Sequence, residues 1–189
     1  MQKRSHKLLA NSLLRSHRGF AARRYELAFL FGSFQPDCNP LTFLRGIRFT
    51  HKPQGHNFIS TQLYINRRIR DLQRRSEWSI WQYYTLGKLT HYLADAFTYP
   101  HNEHYSDSLM NHHRYETELR QCLAEHLSRT EPLKQQLRHD LTDALDQLHR
   151  QYMESRSNLE QDIRYILEAT ALLMAGCAPS QVRSKVQAV

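Results

Sequence analysis

Apolar positions along this chain recur every three or four residues, which is the spacing of amphipathic helices. The pattern predicts seven helices, over residues 4–17, 20–33, 59–75, 77–98, 112–128, about 131–152 and 156–175. Only six glycines and six prolines are spread over the sequence, which favours long helices over a turn-rich β fold. We therefore predict an all-α fold, a single-domain helical bundle over residues 1–175, followed by a polar tail over residues 176–189.

The predicted helix over residues 77–98 carries apolar side chains nearly all the way round. They are Ile80, Trp81, Tyr84, Leu86, Leu89, Tyr92, Leu93 and Ala96. Because a helix that is apolar on every side has to be buried, we expect this one at the centre of the bundle. Pro100 is expected to end it, since the residue before a proline is pushed out of helical geometry.

Residues 31–58 interrupt the helical pattern. They contain three of the six prolines and three of the six glycines, which predicts a long irregular segment. The helix before this segment is expected to end near Gly32.

Composition narrows the class of protein without naming a function. With 189 residues, 40% of them hydrophobic, the chain is long enough for one well-packed domain and unlike a disordered protein. No apolar run is long enough to span a membrane, and the start MQKRSHKLLANSLLRSH lacks the features of a signal peptide. Three cysteines without a close pair predict no disulfide framework, and we expect a cytoplasmic protein.

The net charge of +8 is unevenly distributed. Residues 1–75 carry 15 Lys/Arg against three acids, whereas the remainder carries 11 Lys/Arg against 15 acids. The basic half invites an anionic partner: nucleic acid, a phospholipid surface or a phosphorylated small molecule. A solvated arginine-rich surface explains the same excess, so charge alone identifies no partner.

Candidate chemistry lies in the central helix and in the helix after it. His91 and Asp95 are four residues apart and share one face of the central helix, with Gly87 one turn earlier. A glycine there lets another backbone or a bulky group approach. His112 and Glu116 repeat the spacing on the next helix.

The second pair is in line with an apolar stripe that must face the core: Leu119, Leu123 and Leu127. His113 is about 100° away on the helix and should point elsewhere. Between the two pairs, His101 follows a proline at a turn from which it can reach inward. A single His–acid pair is weak evidence, since most helix histidines are surface or satisfied core residues. Two core-facing pairs with a histidine between them favour a metal site, because imidazole and carboxylate are natural zinc ligands.

The run HYLADAFTYPH, residues 91–101, followed by HHRYE, residues 112–116, resembles the core of the zinc-dependent phospholipase C family, relatives of the zinc S1/P1 nucleases. That family is all-α and holds a trinuclear zinc cluster. Its pattern is HxxxD, a histidine six residues beyond the aspartate, and a later HxxxE. The resemblance assigns these positions to His91, Asp95, His101, His112 and Glu116.

Upstream segments extend the resemblance to residue 6. SHKLL resembles the family's N-terminal stretch and implies His6 as a zinc ligand. GSFQPD resembles the segment that supplies an aspartate ligand and implies Asp37. GHNF implies one further ligand, His56, and His51 in FTHK is a rival that spacing does not separate from it.

The resemblance implies Zn²⁺ as the cofactor, at two to three ions per chain. Asp95 would bridge two ions. The other ligands would be Asp37, His56 and His91 at one site, and His101, His112 and Glu116 at a second. Zinc would make hydroxide available near neutral pH, Asp37 would orient the water as the catalytic residue, and no nucleophilic Ser or Cys is needed.

One departure concerns the third ion. Secreted members contribute the amino group and carbonyl of an N-terminal Trp to a zinc, whereas this chain begins Met-Gln-Lys-Arg-Ser. The zinc that His6 and Asp95 would share therefore lacks those ligands, and water or the chain's own start would have to substitute for them.

Three functions remain open on the sequence. The first is a zinc-dependent phosphodiesterase of the phospholipase C type, acting on a phospholipid or a headgroup ester, with peripheral membrane contact. The second is a nuclease of the same superfamily, which the basic half supports. The third is a non-catalytic, metal-stabilised helical module that binds acidic partners. We infer no transmembrane segment and no obligate protein partner.

Overall fold

A computed structural model describes residues 1–38, 58–102, 109–129, 140–155 and 158–177 of the chain. Within these ranges the protein forms seven α-helices and two short 3₁₀ turns, without a strand. The helices are α1 (Lys3–Ser16), α2 (Arg23–Phe34), α3 (Phe58–Gln73), α4 (Ile80–Ala96), α5 (Leu109–Arg129), α6 (Leu141–Glu154) and α7 (Leu159–Cys177). The turns are Gln35–Cys38 and Tyr99–His101. The predicted all-α bundle is confirmed.

Local capping groups set helix boundaries that the apolar pattern does not reveal. Helix α4 starts after Ser79, whose side chain forms a capping box with Gln82. Helix α6 starts at Leu141, well after the predicted start, because the Asp140 carboxylate accepts the first free N–H groups of that helix. Helix α7 continues to Cys177, which is buried. Residues 39–57 of the predicted irregular segment lie outside the described ranges.

Helices α2 and α4 lie side by side and run in the same direction. Near their first turns, Tyr25 stacks on Tyr83 with ring centroids 4.4 Å apart. Near their last turns, the carbonyl oxygen of Ser33 meets the ring of His91. The chain returns between the two helices through α3, so the parallel pair is made by residues far apart in sequence.

Two glycines allow α2 and α4 to approach closely. A Cβ atom on Gly87 would clash with the carbonyl oxygen of Phe29, and one on Gly32 would clash with that of Tyr84. The close approach predicted at Gly87 is confirmed. Helix α2 ends at Phe34, one residue beyond the predicted range, and Gly32 within its last turn is a packing position.

Helix α4 lies at the centre of the bundle, as its apolar pattern predicts. The expected burial on every side is wrong at its first turn, where Ile80 and Trp81 are 44% and 69% exposed. The helix packs against α1, α2, α3 and α7, while α5 packs against α1 and α7. Its core side chains include Leu86, Leu89 and Leu93, all fully buried. Among the helices of the described ranges, none has the length and apolarity needed to cross a membrane. All three cysteines lie in those ranges, and no disulfide joins them.

Candidate metal centre

Three parts of the fold bring ionisable side chains to one buried point. His6 comes from α1, His91 and Asp95 come from α4, and Asp37 comes from the 3₁₀ turn that follows α2. His6, His91 and Asp95 are only 1%, 0% and 3% exposed. One ligand atom from each of these three lies within 4.8 Å of the other two. Because burying ionisable groups is costly unless something compensates them, the cluster suits a bound cation.

The separations between these atoms match those of ligands around zinc. His6 Nε2 lies 3.3 Å from Asp95 Oδ1, and His91 Nε2 lies 3.2 Å from Asp95 Oδ2. Two ligand atoms in a tetrahedral zinc site are roughly 3.4 Å apart, since each lies 2.0–2.2 Å from the ion. The two oxygens of Asp95 face different histidine nitrogens, which is the arrangement that a bridging carboxylate requires.

The ring of His91 is oriented by the backbone of α2. Its Nδ1 lies 3.0 Å from the carbonyl oxygen of Ser33. A carbonyl can only accept a hydrogen bond, so Nδ1 carries a proton and Nε2 is the nitrogen left to bind a metal. Nε2 faces the carboxylates of Asp95 and Asp37, so the close packing of α2 on α4 fixes the ring orientation that a metal ligand needs.

His6 has the properties of a neutral ligand. Its ring stacks on His91 with centroids 3.9 Å apart and planes at 28°. Burial, reinforced by the neighbouring His91, lowers the pKa of His6 to about 3, so the ring is neutral at pH 7. Neither ring nitrogen makes a hydrogen bond within the described part of the chain. Buried polar atoms are normally satisfied, and two unsatisfied nitrogens fit a site that takes a metal.

Asp37 lies at the open edge of the same cluster. Its Oδ1 lies 3.6 Å from His91 Nε2, and its Oδ2 lies 3.9 Å from His6 Nε2. The Asp37 side chain is 26% exposed, against 4% for that of Asp95. Burial raises the pKa of the Asp37 carboxyl above its ordinary value. This carboxylate can therefore contact both the buried nitrogens and whatever approaches from solvent.

A second His–acid pair adjoins the buried cluster. On α5, His112 Nε2 lies 3.3 Å from Glu116 Oε1, again close to the separation of two zinc ligands. The pair is more accessible, with the His112 side chain 30% exposed and that of Glu116 15% exposed. Leu119 continues the same stripe into the core and is fully buried, whereas His113 is exposed.

The amino group of Met1 links the two groups of residues. Its nitrogen lies 2.6 Å from Asp95 Oδ1 and 3.4 Å from Glu116 Oε1. The next side chain, Gln2, donates a hydrogen bond of 3.2 Å to Thr117 Oγ1 on α5. Burial acts to lower the pKa of the amino group, but the charges of Asp95 and Glu116 outweigh it and raise the pKa overall. As an ammonium group it balances both carboxylates, and as a free amine it offers a lone pair.

The turn that carries His101 is held against the end of α4. The Asn102 side chain donates to the carbonyl oxygens of Ala96 and Thr98, at 3.1 and 2.8 Å. The first carbonyl belongs to the last residue of α4, and the second lies two residues beyond the end of that helix. The backbone of His101 is therefore fixed close to the residues that follow Asp95.

A buried carboxylate on α7 holds the same turn from the other side. Asp162 is fully buried and accepts hydrogen bonds from the Tyr115 hydroxyl, from the Tyr152 hydroxyl at 2.9 Å and from the Tyr99 backbone N–H at 3.2 Å. Burial raises the pKa of the Asp162 carboxyl. Since Tyr115 precedes Glu116 directly, Asp162 positions both the His101 turn and the helix that carries the second pair.

The predicted ligands divide into three groups by their placement. The buried cluster holds His6, Asp37, His91 and Asp95, and the adjoining pair is His112 and Glu116. The side chain of His101 lies outside the described part of the chain, as do His51 and His56.

Sequence reasoning missed two contributors, the Ser33 carbonyl and Asp162. The first is a backbone group and leaves no side-chain motif. The second had a signal, since Asp162 interrupts an apolar stripe at Ile166 and Ala169 of α7, where a lone acid has to find partners.

An all-helical fold with buried imidazoles and carboxylates at ligand separations defines a class of helical metalloproteins. A family model described as zinc dependent phospholipase C matches residues 5–159. The chain belongs to the zinc-dependent phospholipase C family, and the resemblance seen in the sequence is confirmed. No curated protein and no solved structure matches the chain significantly.

Proposed function

We propose that this protein is a zinc-dependent phosphodiesterase that hydrolyses a phospholipid or a related phosphodiester. The observation that carries the proposal is the Asp95 carboxylate, whose two oxygens face His6 and His91 at 3.3 and 3.2 Å. Membership of the zinc-dependent phospholipase C family supports the substrate class. We propose two to three zinc ions per chain.

The ligands divide into three sets in this proposal. His91 and Asp37, together with His56, hold one ion. His112 and Glu116, together with His101, hold a second. His6 and the Met1 amine are the nitrogens available to a third, with Asp95 shared between neighbours. The Met1 nitrogen lies beside both Asp95 and Glu116, at 2.6 and 3.4 Å.

An enzyme fits this geometry better than a purely structural site. Structural zinc sites are closed by protein ligands, whereas catalytic sites keep a position open to water or substrate. The Asp37 side chain is 26% exposed against 4% for Asp95, and that of His112 is 30% exposed against 15% for Glu116. The cluster is therefore accessible from one side, through which a phosphodiester can approach.

The chemistry divides between the metal and the chain. Bound zinc supplies a nucleophile at neutral pH and neutralises charge on the phosphate. The Ser33 carbonyl keeps the His91 proton on Nδ1. Asp37, at the open edge, would orient the attacking water and accept its proton. Asp162 holds the second set of ligands in place.

The test is a hydrolysis assay on purified, zinc-loaded protein with three substrates side by side: a soluble phosphocholine ester, a phospholipid and single-stranded DNA. We expect hydrolysis of the first two and a loss of at least about 100-fold in kcat for Asp37→Asn, with zinc retained at the buried histidines. Cleavage of the DNA and of neither other substrate would identify the protein as a nuclease instead. No hydrolysis of any substrate by fully loaded protein would reject the proposal.

A further inference from the structure

Exposed aromatic side chains form a continuous surface on α2 and α4. We call this surface the aromatic face and define it by Phe31 and Phe34 on α2 and by Trp81 and Tyr84 on α4. The rings contact one another in sequence, with centroids 5.6 Å apart for Phe34 and Phe31, 6.0 Å for Phe31 and Tyr84, and 6.2 Å for Tyr84 and Trp81.

Two of these aromatic side chains are strongly exposed to solvent. Trp81 is 69% exposed and Phe31 is 52% exposed, and both are flanked by exposed aliphatic side chains, Ile80 and Leu27. Across the described residues, every large apolar side chain in the exposed class lies on α2, α3 or α4. Concentrated exposed apolar surface of this kind marks an interaction site rather than a random scatter.

Cations lie directly over the rings of this face. Lys7 Nζ lies 4.2 Å from the centre of the Phe34 ring, and Lys88 Nζ lies 5.9 Å from that of Tyr84. Lys88 also lies 5.8 Å from the ring of Tyr64 on α3. On α2 and α3, the carboxylates of Glu26 and Asp71 each form an ion pair with an arginine, at 2.8 and 3.6 Å. The surface therefore combines apolar rings with positive charge, in the half of the chain that carries 15 Lys/Arg against three acids.

The face leads to the candidate metal centre. Phe34 lies three residues before Asp37, and the Gln35 side chain between them accepts a hydrogen bond of 2.9 Å from the Tyr84 hydroxyl. On α4, Lys88 lies one turn before His91. A ligand lying on the aromatic face would have its polar end beside the open edge of the cluster.

We propose that the aromatic face is the surface by which this protein docks on a phospholipid bilayer that contains anionic lipid. Trp and Tyr favour the membrane–water interface because their rings have an apolar body and a polar edge. Lysines beside them attract the negative surface of the bilayer. The proposal rests on the proposed function only for its link to substrate, because docking itself requires neither metal nor turnover.

The chain's two tryptophans make a direct test of docking. Trp81 lies on the face, whereas Trp78 is half-buried and packs edge-on against Tyr83, at 5.2 Å. In a Trp78→Phe protein, Trp81 emission should shift to shorter wavelength when vesicles of mixed phosphatidylcholine and anionic phospholipid are added. In a Trp81→Phe protein, the emission of Trp78 should keep its wavelength.

Partition measured by vesicle sedimentation supplies the magnitudes. Trp81→Ala should weaken partition at least about tenfold, because a Trp is lost from the interface, and Lys88→Gln about fivefold, on anionic vesicles only. The control is Arg164→Gln, which removes a cation over Tyr165 on α7 and should leave partition unchanged. All three variants should hydrolyse a soluble phosphocholine ester at the wild-type rate. If the wild-type protein does not hydrolyse this ester, the proposed function is rejected, whereas the docking proposal is unaffected.

Three results would overturn the docking proposal. One is the absence of a Trp81 shift on anionic vesicles. Another is that Trp81→Ala and Lys88→Gln both partition onto anionic vesicles as strongly as the wild-type protein. The last is a shift of Trp81 emission to shorter wavelength in the absence of lipid, together with a doubled mass in sedimentation. That result would show that the face binds a second copy of this chain.

Discussion

The buried cluster and the adjoining His–acid pair hold similar atoms at similar separations but are built differently. His6 and His91 are buried and lie 3.3 and 3.2 Å from the Asp95 oxygens, whereas His112 is 30% exposed and lies 3.3 Å from Glu116. The cluster depends on three helices packed around the centre of the bundle. The pair lies on one helix and depends on hydrogen bonds from elsewhere. Equal spacing therefore does not imply an equal cost of losing a ligand.

The difference follows from burial. Carboxylates and imidazoles in a low-dielectric interior need compensation, so the cluster and its metal should be thermodynamically coupled to folding. The pair can be hydrated, so loss of its metal should affect turnover more than stability. Changes placed in each region can test this contrast.

The largest effect is expected at Asp95 in the buried cluster. Asp95→Asn keeps the shape but removes the charge that would compensate the metal ions held beside it. We expect zinc to be lost from the buried cluster and turnover to fall at least about 100-fold, with a lower Tm, because metal binding is coupled to folding. Elemental analysis, hydrolysis and thermal unfolding measure the three effects, with Asp71→Asn on the α3 surface as the control. A variant that keeps full zinc and full turnover would remove Asp95 from the bridging role.

The next effect tests whether helix packing holds the cluster together. Gly87→Ala places a methyl group against the backbone of α2, which cannot move aside cheaply, so we expect a loss of about 3 kcal/mol in unfolding free energy. It should also weaken zinc binding, since His91 depends on the Ser33 carbonyl of that helix. Gly176→Ala is the matched control, because its Cβ would meet only the Leu141 side chain, at 2.7 Å, and should cost about 1 kcal/mol.

Denaturant unfolding and a zinc titration measure both variants. Equal losses at the two glycines would show that the close contact of α2 with α4 has no special role.

A smaller effect should appear at the support of the second pair. Asp162→Asn replaces a carboxylate that accepts three hydrogen bonds, and we expect a loss of about 2 kcal/mol in stability. Because Tyr115 and Tyr99 are released, kcat should fall about tenfold while the zinc of the buried cluster stays bound. Tyr152→Phe removes one hydroxyl that does not border the second pair and should lower stability by about 1 kcal/mol without changing kcat. If Asp162→Asn has the wild-type kcat, then Asp162 has a purely structural role.

The smallest effect is a pH dependence of the metal-free protein. The pKa of His6 is about 3 in the folded chain and near 6.5 in the unfolded chain, so the unfolded state binds more protons between these values. Stability should therefore be fully present above pH 6.5 and fall as the pH is lowered towards 3. His149, with a pKa lowered to about 4 by burial, adds a loss in the same direction, and Asp37, with a raised pKa, opposes it.

Urea unfolding in chelator at pH 7.5 and pH 5.5 isolates the share of His6. The loss of stability between these pH values should be about 1 kcal/mol smaller for His6→Gln than for wild type. Identical losses would mean that His6 is not held neutral in the folded protein.

Much of the fold was predictable because the apolar side chains recur with the period of a helix. The all-round apolar pattern placed α4 at the centre, and the apolar stripe after Glu116 placed the second pair against the core. Helix starts were less predictable, since Ser79 and Asp140 act through local hydrogen bonds that leave the apolar period unchanged. A glycine such as Gly32 can either end a helix or permit close packing. Only the position of the partner helix distinguishes these two roles.

The site was predictable where its chemistry is carried by side chains. The spacing of His91 and Asp95 indicates a shared helix face, and that inference needs no tertiary structure. The meeting of α1 with α4, which brings His6 to Asp95, depends on contacts between distant parts of the chain. The Ser33 carbonyl could not be predicted from the sequence, because every residue has a backbone carbonyl and only the fold selects which of them is used.

Metal stoichiometry tests the central claim most directly. Protein purified without chelator and reconstituted with zinc should hold at least two ions per chain by elemental analysis, as two His–acid groups at ligand separations require. His112→Ala should lose about one ion and His113→Ala none, since His113 is exposed while His112 lies 3.3 Å from Glu116. Fewer than one ion per chain in the wild type, or equal losses in the two variants, would contradict the account.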